Sequence, residues 1–158
     1  MAAPASRAPA VPAGPGMLPA SGWLCFLAHT LFVLAAWTVT IKYLFPIGFA
    51  AAHGQAVTTH VYWDLWPIAH VWLGWALLRW PWYTRALAIV IAVAEIAIIV
   101  TLFAMFLTEP QWTIWRTNWF INKLFILACF VLILGTFTLA PGVIQRHRDA
   151  LAQASRKE

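Results

Sequence analysis

Four long apolar runs constrain the fold of this 158-residue chain more than any other feature of its sequence. They cover residues 23–45, 61–78, 86–107 and 118–139. Each run is close to the ~20 residues that an α-helix needs to cross ~30 Å of hydrocarbon. Only 9% of the residues are charged, compared with roughly 25% in soluble domains. The sequence therefore predicts an all-α integral membrane protein, a four-helix transmembrane bundle with short loops over residues 23–140.

The segments outside this domain have different compositions. Residues 1–22 are rich in Ala and Pro and show no periodicity, so we predict a disordered tail. The alternative is a signal peptide cleaved near residues 50–52, but the preceding apolar run is about twice as long as a signal core. Residues 141–158 are polar and basic, which predicts a short basic helix in contact with anionic lipid.

The distribution of Lys and Arg predicts the orientation. With the amino terminus inside, seven of these residues flank the spans on the inner side and three on the outer side, and cytoplasmic loops carry the excess. We therefore expect both termini to be cytoplasmic and the chain to lie in the cell inner membrane. The basic residues flank apolar runs instead of forming one basic face, so the expected partner is the lipid bilayer and not nucleic acid. The eleven tryptophans agree with this, because indole prefers the membrane interface.

A few ionisable residues lie within the apolar runs, where each costs at least ~2.5 kcal/mol unless it finds a partner. His70 and Glu95 fall near the middle of two adjacent antiparallel spans, so we predict that they form a buried pair. One hypothesis gives this pair a catalytic role in proton transfer, and the other a structural hydrogen bond between helices. Lys123 lies in the fourth run, where its long side chain could reach the interface.

Two further candidate sites involve histidine. His29 and His70 are candidate axial ligands of a b-type haem, although residue counting separates them by ~7 Å in depth. His60 and Asp64 are one helical turn apart, with His53 in the preceding loop, and these three are candidate ligands of a transition metal at the outer rim. A kink at Pro67 is expected next to them.

No phosphate-binding loop, CxxC, HExxH or GxSxG motif is present in the sequence. We therefore expect a non-catalytic accessory or structural subunit of a larger bioenergetic complex, electron-transferring or photosynthetic, with other integral membrane subunits as partners. Small residues such as Gly74 and Gly135 allow the required close helix contacts. The alternative is a membrane-embedded enzyme or redox carrier acting on a quinone, isoprenoid or pigment, with haem b or quinone as cofactor. A third hypothesis is a small proton-coupled transporter that depends on Glu95.

Overall fold

The computed structural model describes residues 22–60, 64–108 and 113–154, without the side chains of residues 59, 60, 115 and 154. The described residues contain helices and no strands. Five helices follow one another along them: α1 (Gly22–Ala52), α2 (Trp66–Arg79), α3 (Thr84–Leu107), α4 (Ile114–Leu139) and α5 (Pro141–Ala154). A single 3-10 turn, Val57–His60, lies between α1 and α2.

The prediction of four membrane-spanning helices is wrong in its count. Among the described residues, three helices are long and apolar enough to cross a bilayer, namely α1, α3 and the Arg116–Leu139 part of α4. Helix α2 has 14 residues and is therefore ~21 Å long, shorter than the ~30 Å hydrocarbon core. The coarser prediction of a helical membrane protein agrees with these three apolar helices.

The amino-terminal end of α2 explains why this helix is short. Pro67 occupies the first turn, where a missing N–H costs nothing and the fixed φ favours helix initiation. Asp64 accepts a hydrogen bond from the backbone N–H of Trp66 at 3.0 Å and so satisfies another donor of that turn. Pro67 therefore begins a helix, where the sequence predicted that it kinks one. Residues 61–63 of the predicted run lie outside the described residues.

Helix α1 continues past the end at residue 45 that the sequence predicted. The segment Thr40–Leu44 is a π-helical turn, and the N–H of Phe45 bonds to the carbonyl of Thr40, five residues back. This turn ends two residues before Pro46, whose ring would crowd the carbonyl of Lys42, four residues earlier, in a regular α-helix. The wider π turn accommodates the proline without ending the helix.

The first four helices pack as an antiparallel bundle whose core is apolar. Gly74 of α2 allows the closest approach to α1, because a Cβ at this position would lie 2.8 Å from the Phe32 ring and 3.1 Å from the carbonyl of Ala28. Trp23 Nε1 donates to Thr136 Oγ1 at 2.9 Å and joins α1 to α4. Large apolar side chains remain exposed on the outside of the bundle, as expected for contact with lipid.

The two ends of the bundle differ. The long-loop end carries residues 53–60, 64, 65, 108 and 113 of the described chain, and the α5 end carries the α2–α3 turn and α5. At the α5 end, Trp80 closes α2 with a left-handed φ of 53°, stacks on Phe137 and contacts the His147 ring at a tilted angle. His147 is 1% exposed, and its Nε2 donates to the carbonyl of Leu77 at 3.0 Å. Helix α5 therefore packs on the bundle through this histidine.

Candidate functional site

A polar cavity of about 230 Å³ lies inside the bundle, between its middle and the long-loop end. The first four helices all contribute to its wall, so the cavity depends on the assembled bundle. Its polar side chains are those of Thr38, Lys42, His70, Glu95, Asn122 and Lys123. In a bundle with an apolar core, this concentration of polar groups requires a structural or chemical reason.

His70 and Glu95 meet at the deep end of the cavity. His70 Nε2 lies 2.9 Å from Glu95 Oε1, and the two residues are 3% and 7% exposed. Glu95 is midway along α3, ~18 Å from either end, which corresponds to the middle of a bilayer. The structure thus brings together the pair that the sequence singled out, and its catalytic role stays a prediction.

The second ring nitrogen of His70 determines what the pair can do chemically. His70 Nδ1 is buried and has no hydrogen-bond partner among the described residues. When the ring is neutral and Nε2–H donates to Glu95, Nδ1 carries a lone pair that can accept a proton or a hydrogen bond. The ring of Phe130 lies beside the imidazole, with centroids 5.4 Å apart, and fixes its position. An acid–base pair with an unused acceptor therefore lies at the bottom of the cavity.

An ion pair between Lys42 and Asp64 lies at the mouth of the cavity. Lys42 is in the π turn of α1, and Asp64 accepts a hydrogen bond from the first backbone N–H of α2. Burial raises the pKa of Asp64, but the hydrogen bonds from Lys42 and from the backbone N–H of Trp66 outweigh it, together with the positive charge of Lys42, so the pKa lies below its usual value. The Asp64 carboxylate is therefore charged at neutral pH and joins α1 to the start of α2.

Lys123 and Asn122 line the α4 side of the cavity. Both side chains are partly buried, and neither has a hydrogen bond or an ion pair to the described residues. The Phe103–Phe120 contact at 4.6 Å sets the register of α3 and α4, and it places Lys123 ~7 Å nearer the long-loop end than Glu95. Lys123 therefore contributes a positive charge to the cavity wall above the acid–base pair.

The structure does not bring the two candidate haem ligands together. His29 is exposed on the outside of α1, and its Nδ1 donates to the carbonyl of Cys25 at 2.7 Å. It faces an apolar groove between α1 and α4, whereas His70 faces the bundle core against Glu95. Haem ligation by His29 and His70 stays a prediction to which this arrangement adds no support.

The candidate metal ligands at the rim are engaged elsewhere or lie outside the described residues. His53 Nδ1 donates to the carbonyl of Phe49 at 2.8 Å, and the two rings stack with centroids 4.0 Å apart. Asp64 is held by Lys42 and Trp66. The side chain of His60 lies outside the described residues, and these contain no group of three His, Cys, Asp or Glu side chains that could hold a metal ion.

Sequence reasoning missed Lys42, Asn122 and His147 as participants. Lys42 was counted only as a charge flanking the first span, although a lysine in an apolar run four residues before a proline is a signal of local distortion. Asn122 adjoins Lys123, and two adjacent polar residues in an apolar run could have indicated a polar interface. The burial of His147 depends on the docking of α5, for which the sequence of the basic tail gave no signal.

Comparison of the chain with protein-family models, curated proteins and solved structures finds no match. What the protein does must therefore be inferred from the chemistry of the cavity. There, the Glu95 carboxylate, the His70 imidazole and the Lys123 ammonium group lie together inside an apolar bundle. The ammonium group has no hydrogen-bond partner among the described residues.

Proposed function

We propose that the protein binds the polar head group of a lipid-soluble molecule in this cavity and exchanges protons with it through His70 and Glu95. The observation that carries the proposal is the hydrogen-bonded acid–base pair at the deep end of a polar cavity in an apolar bundle. This favours the membrane-embedded enzyme or redox carrier over a purely structural role. A quinone-type ring is the substrate class that best matches the site.

The size of the cavity supports a ring-sized ligand. An apolar cavity of ~150 Å³ accepts benzene, and drug-sized ligands occupy ~300–1,000 Å³. At about 230 Å³, this cavity suits one substituted six-membered ring. Trp37 and Ile98 line the cavity but are 51% and 39% exposed on the outside of the bundle. A ligand with an apolar tail can therefore place its ring inside while its tail remains in lipid.

The path of protons favours exchange with a ligand over transport across the membrane. Between the His70–Glu95 pair and the α5 end, the buried residues of α2 are Leu73, Gly74, Ala76 and Leu77, and those of α3 are Ala88, Ile91 and Ala92, with Thr84 in the first turn. The Thr84 hydroxyl bonds to the carbonyls of Ala76 and Pro81 at the α2–α3 turn, and the apolar residues separate it from the pair. Apolar side chains do not conduct protons. Among the described residues of these two helices, the polar path therefore ends at the pair, so the proton-coupled transporter gains no support.

Intrinsic fluorescence tests this function, because Trp37 and Trp66 line the cavity. Titration of the purified protein in lipid nanodiscs with a short-chain benzoquinone should give saturable quenching. Loss of one hydrogen bond to a charged group costs ~1.5–3 kcal/mol, so His70→Gln and Glu95→Gln should each weaken binding by about tenfold or more.

His53→Gln is the matched control, since this exposed histidine bonds only to its own helix, and it should bind like the wild type. Quenching that rises linearly without saturation, or equal affinity in the cavity variants and the control, would contradict the proposed function.

Membership of a larger bioenergetic complex is a second candidate function. Gly135 on α4 has no heavy atom within 4 Å of the position of a Cβ, whereas Gly74 is already used inside the bundle. An open glycine face on a membrane helix is a favourable contact for a partner helix. Gly135→Ile should then remove the protein from a high-mass assembly extracted from native membranes in mild detergent, while Ile121→Leu should not. A wild-type protein that always migrates as a monomer would contradict this candidate.

The location in the cell inner membrane, with both termini in the cytoplasm, is part of this proposal. Its support is the difference in charge between the two ends of the bundle. Among the described residues, the end where α1 begins and α4 ends carries Arg79, Arg85, Arg146 and Arg148, whereas the long-loop end carries Lys42 and Arg116. A reporter fused to the carboxyl terminus tests it: alkaline phosphatase should be inactive there and green fluorescent protein should fluoresce. The reverse pattern would place that terminus outside.

A further inference from the structure

We infer that the cavity selects ligands whose ring carries an anionic oxygen, and that Lys123 is the residue that binds this oxygen. The inference rests on the proposed function and names the substrate class of the same site. An ionised hydroxyquinone or phenolate with an apolar tail has the required chemistry.

Lys123 differs in its surroundings from most ionisable residues in membrane helices. Ionisable side chains within membrane helices nearly always pair with each other or with backbone carbonyls. Lys123 lines the cavity on α4 but has no hydrogen bond or ion pair to the described residues. Its ammonium group is therefore a donor of three hydrogen bonds that faces the cavity without a protein acceptor among them.

The other charged groups around the cavity are paired with one another. Lys42 is paired with Asp64, and Glu95 is bonded to His70. When His70 is neutral, the two lysines balance the two carboxylates, and protonation of His70 leaves a net charge of +1. In either state Lys123 is the charged group without a direct partner among the described residues. The part of the cavity wall at Lys123 is therefore complementary to an anion.

The polar groups lie at two different depths in the cavity. Lys123 lies ~7 Å nearer the long-loop end than Glu95, and His70 and Glu95 occupy the deep end. A ring with oxygens on opposite sides can place one oxygen at Lys123 and the other at the His70–Glu95 pair. In an ionised hydroxyquinone the negative charge is shared among the ring oxygens, so Lys123 stabilises the anion while His70 exchanges the proton. The Asn122 amide adjoins Lys123 and can donate to the same oxygen.

Two probes of the same shape test the inference. A 2-hydroxy-3-alkyl-1,4-benzoquinone has the single ring that the cavity suits and is an anion at neutral pH, and its 2-methoxy derivative is neutral. In nanodiscs, with concentrations referred to the lipid phase, the wild-type protein should bind the anion at least about tenfold more tightly. Lys123→Met keeps the length of the side chain without its charge and should bind both probes equally. Lys123→Arg should keep the preference, and so should Arg85→Met, which removes an exposed charge near the α5 end.

The wild-type protein provides a second measurement that needs no variant to fold. Acidification that protonates the hydroxyl group of the first probe should remove the difference between the probes.

The outcomes separate the two proposals. Saturable binding of both probes with equal affinity by the wild type would overturn this inference and leave the proposed function standing. A preference that survives in a folded Lys123→Met variant would overturn it as well, because another group must then bind the anion. Saturable binding of neither probe would overturn both.

Discussion

Glu95 and His70 are the two residues whose burial depends most on each other. A carboxyl group or an imidazole alone in the middle of a bilayer is costly, and the 2.9 Å hydrogen bond between them offsets part of that cost. The pair is stable only while both members are present. This coupling makes it suited to proton exchange, because either member can hold the proton while the other remains hydrogen-bonded.

A double-mutant cycle measures that coupling. Glu95→Leu and His70→Phe should each lower the free energy of unfolding by about 1–3 kcal/mol, because each leaves a buried polar group without its partner. The double variant should be more stable than the sum of the two losses implies, by about 1–2 kcal/mol. Unfolding in mixed micelles with increasing dodecyl sulfate gives these values. Strict additivity would show that the two side chains do not interact.

The ion pair between Lys42 and Asp64 has a pH dependence with a definite sign. The pKa of Asp64 is lowered in the folded protein, so the ion pair stabilises the fold fully above the unfolded pKa of Asp64. That stabilisation is lost as the pH falls through the lower, folded pKa. The stability difference between the wild type and Asp64→Asn should therefore be constant from about pH 5 to 8 and shrink below about pH 4. A difference that changes between pH 5 and 8 would contradict this assignment.

At the scale of the helices, Gly74 determines how closely α1 and α2 pack. Gly74→Ala places a Cβ 2.8 Å from Phe32 and 3.1 Å from a backbone carbonyl, so it should destabilise the bundle by about 1–3 kcal/mol. Gly135→Ala is the matched control, because its Cβ meets open space and alanine favours the helix by up to about 1 kcal/mol. Equal effects of the two substitutions on unfolding would show that the α1–α2 contact is looser than described.

Helix α5 is held by the hydrogen bond from His147 to the carbonyl of Leu77 and by the tilted ring contact of His147 with Trp80. His147→Ala removes both contacts and should release α5. We expect faster hydrogen exchange of residues 141–154 and faster proteolysis there, with no change in α1. His53→Ala, which alters an exposed histidine, is the control. Unchanged exchange in α5 would mean that other contacts hold this helix.

The sequence predicted helical segments better than it predicted their ends. Apolar runs locate α1, α3 and α4, because lipid requires long apolar helices. The start of α2 depends on Pro67 and on the hydrogen bond from the Trp66 N–H to Asp64. The continuation of α1 past Pro46 depends on a π turn. Both effects are local backbone adjustments that hydrophobic periodicity does not encode.

In the candidate site, the sequence predicted that His70 and Glu95 lie at the same depth. This depth follows from the number of residues between each of them and the predicted ends of its helix, at ~1.5 Å per residue. The cavity itself could not be predicted, because it requires Lys42 and Lys123 to face inward. The side of α1 and α4 that faces the bundle interior is set by their packing in the assembled bundle. Nearly every residue of these runs is apolar, so the sequence has no polar face that would predict this orientation.

At the scale of the whole molecule, the bundle is polar towards one end and apolar towards the other. The cavity extends from the middle of the bundle to the long-loop end, and most of the buried apolar side chains lie in the half next to α5. The proposed function requires water to reach this cavity from the long-loop end and a ligand to reach it from the lipid. The cavity must therefore be accessible to both within helices that lipid solvates.

Cysteine accessibility at two adjacent positions tests that claim most directly. In a Cys25→Ala, Cys129→Ala background, Asn122→Cys places a thiol at the cavity, and Ile121→Cys places one on the outer surface, where Ile121 is 57% exposed. Thiolates form in water and not in hydrocarbon, and they attack charged methanethiosulfonate reagents to give a mixed disulfide with release of methanesulfinate. We predict that Asn122→Cys is modified in membranes and protected by a bound quinone, and that Ile121→Cys is unreactive. Modification of Ile121→Cys alone, or of both at equal rates, would contradict it.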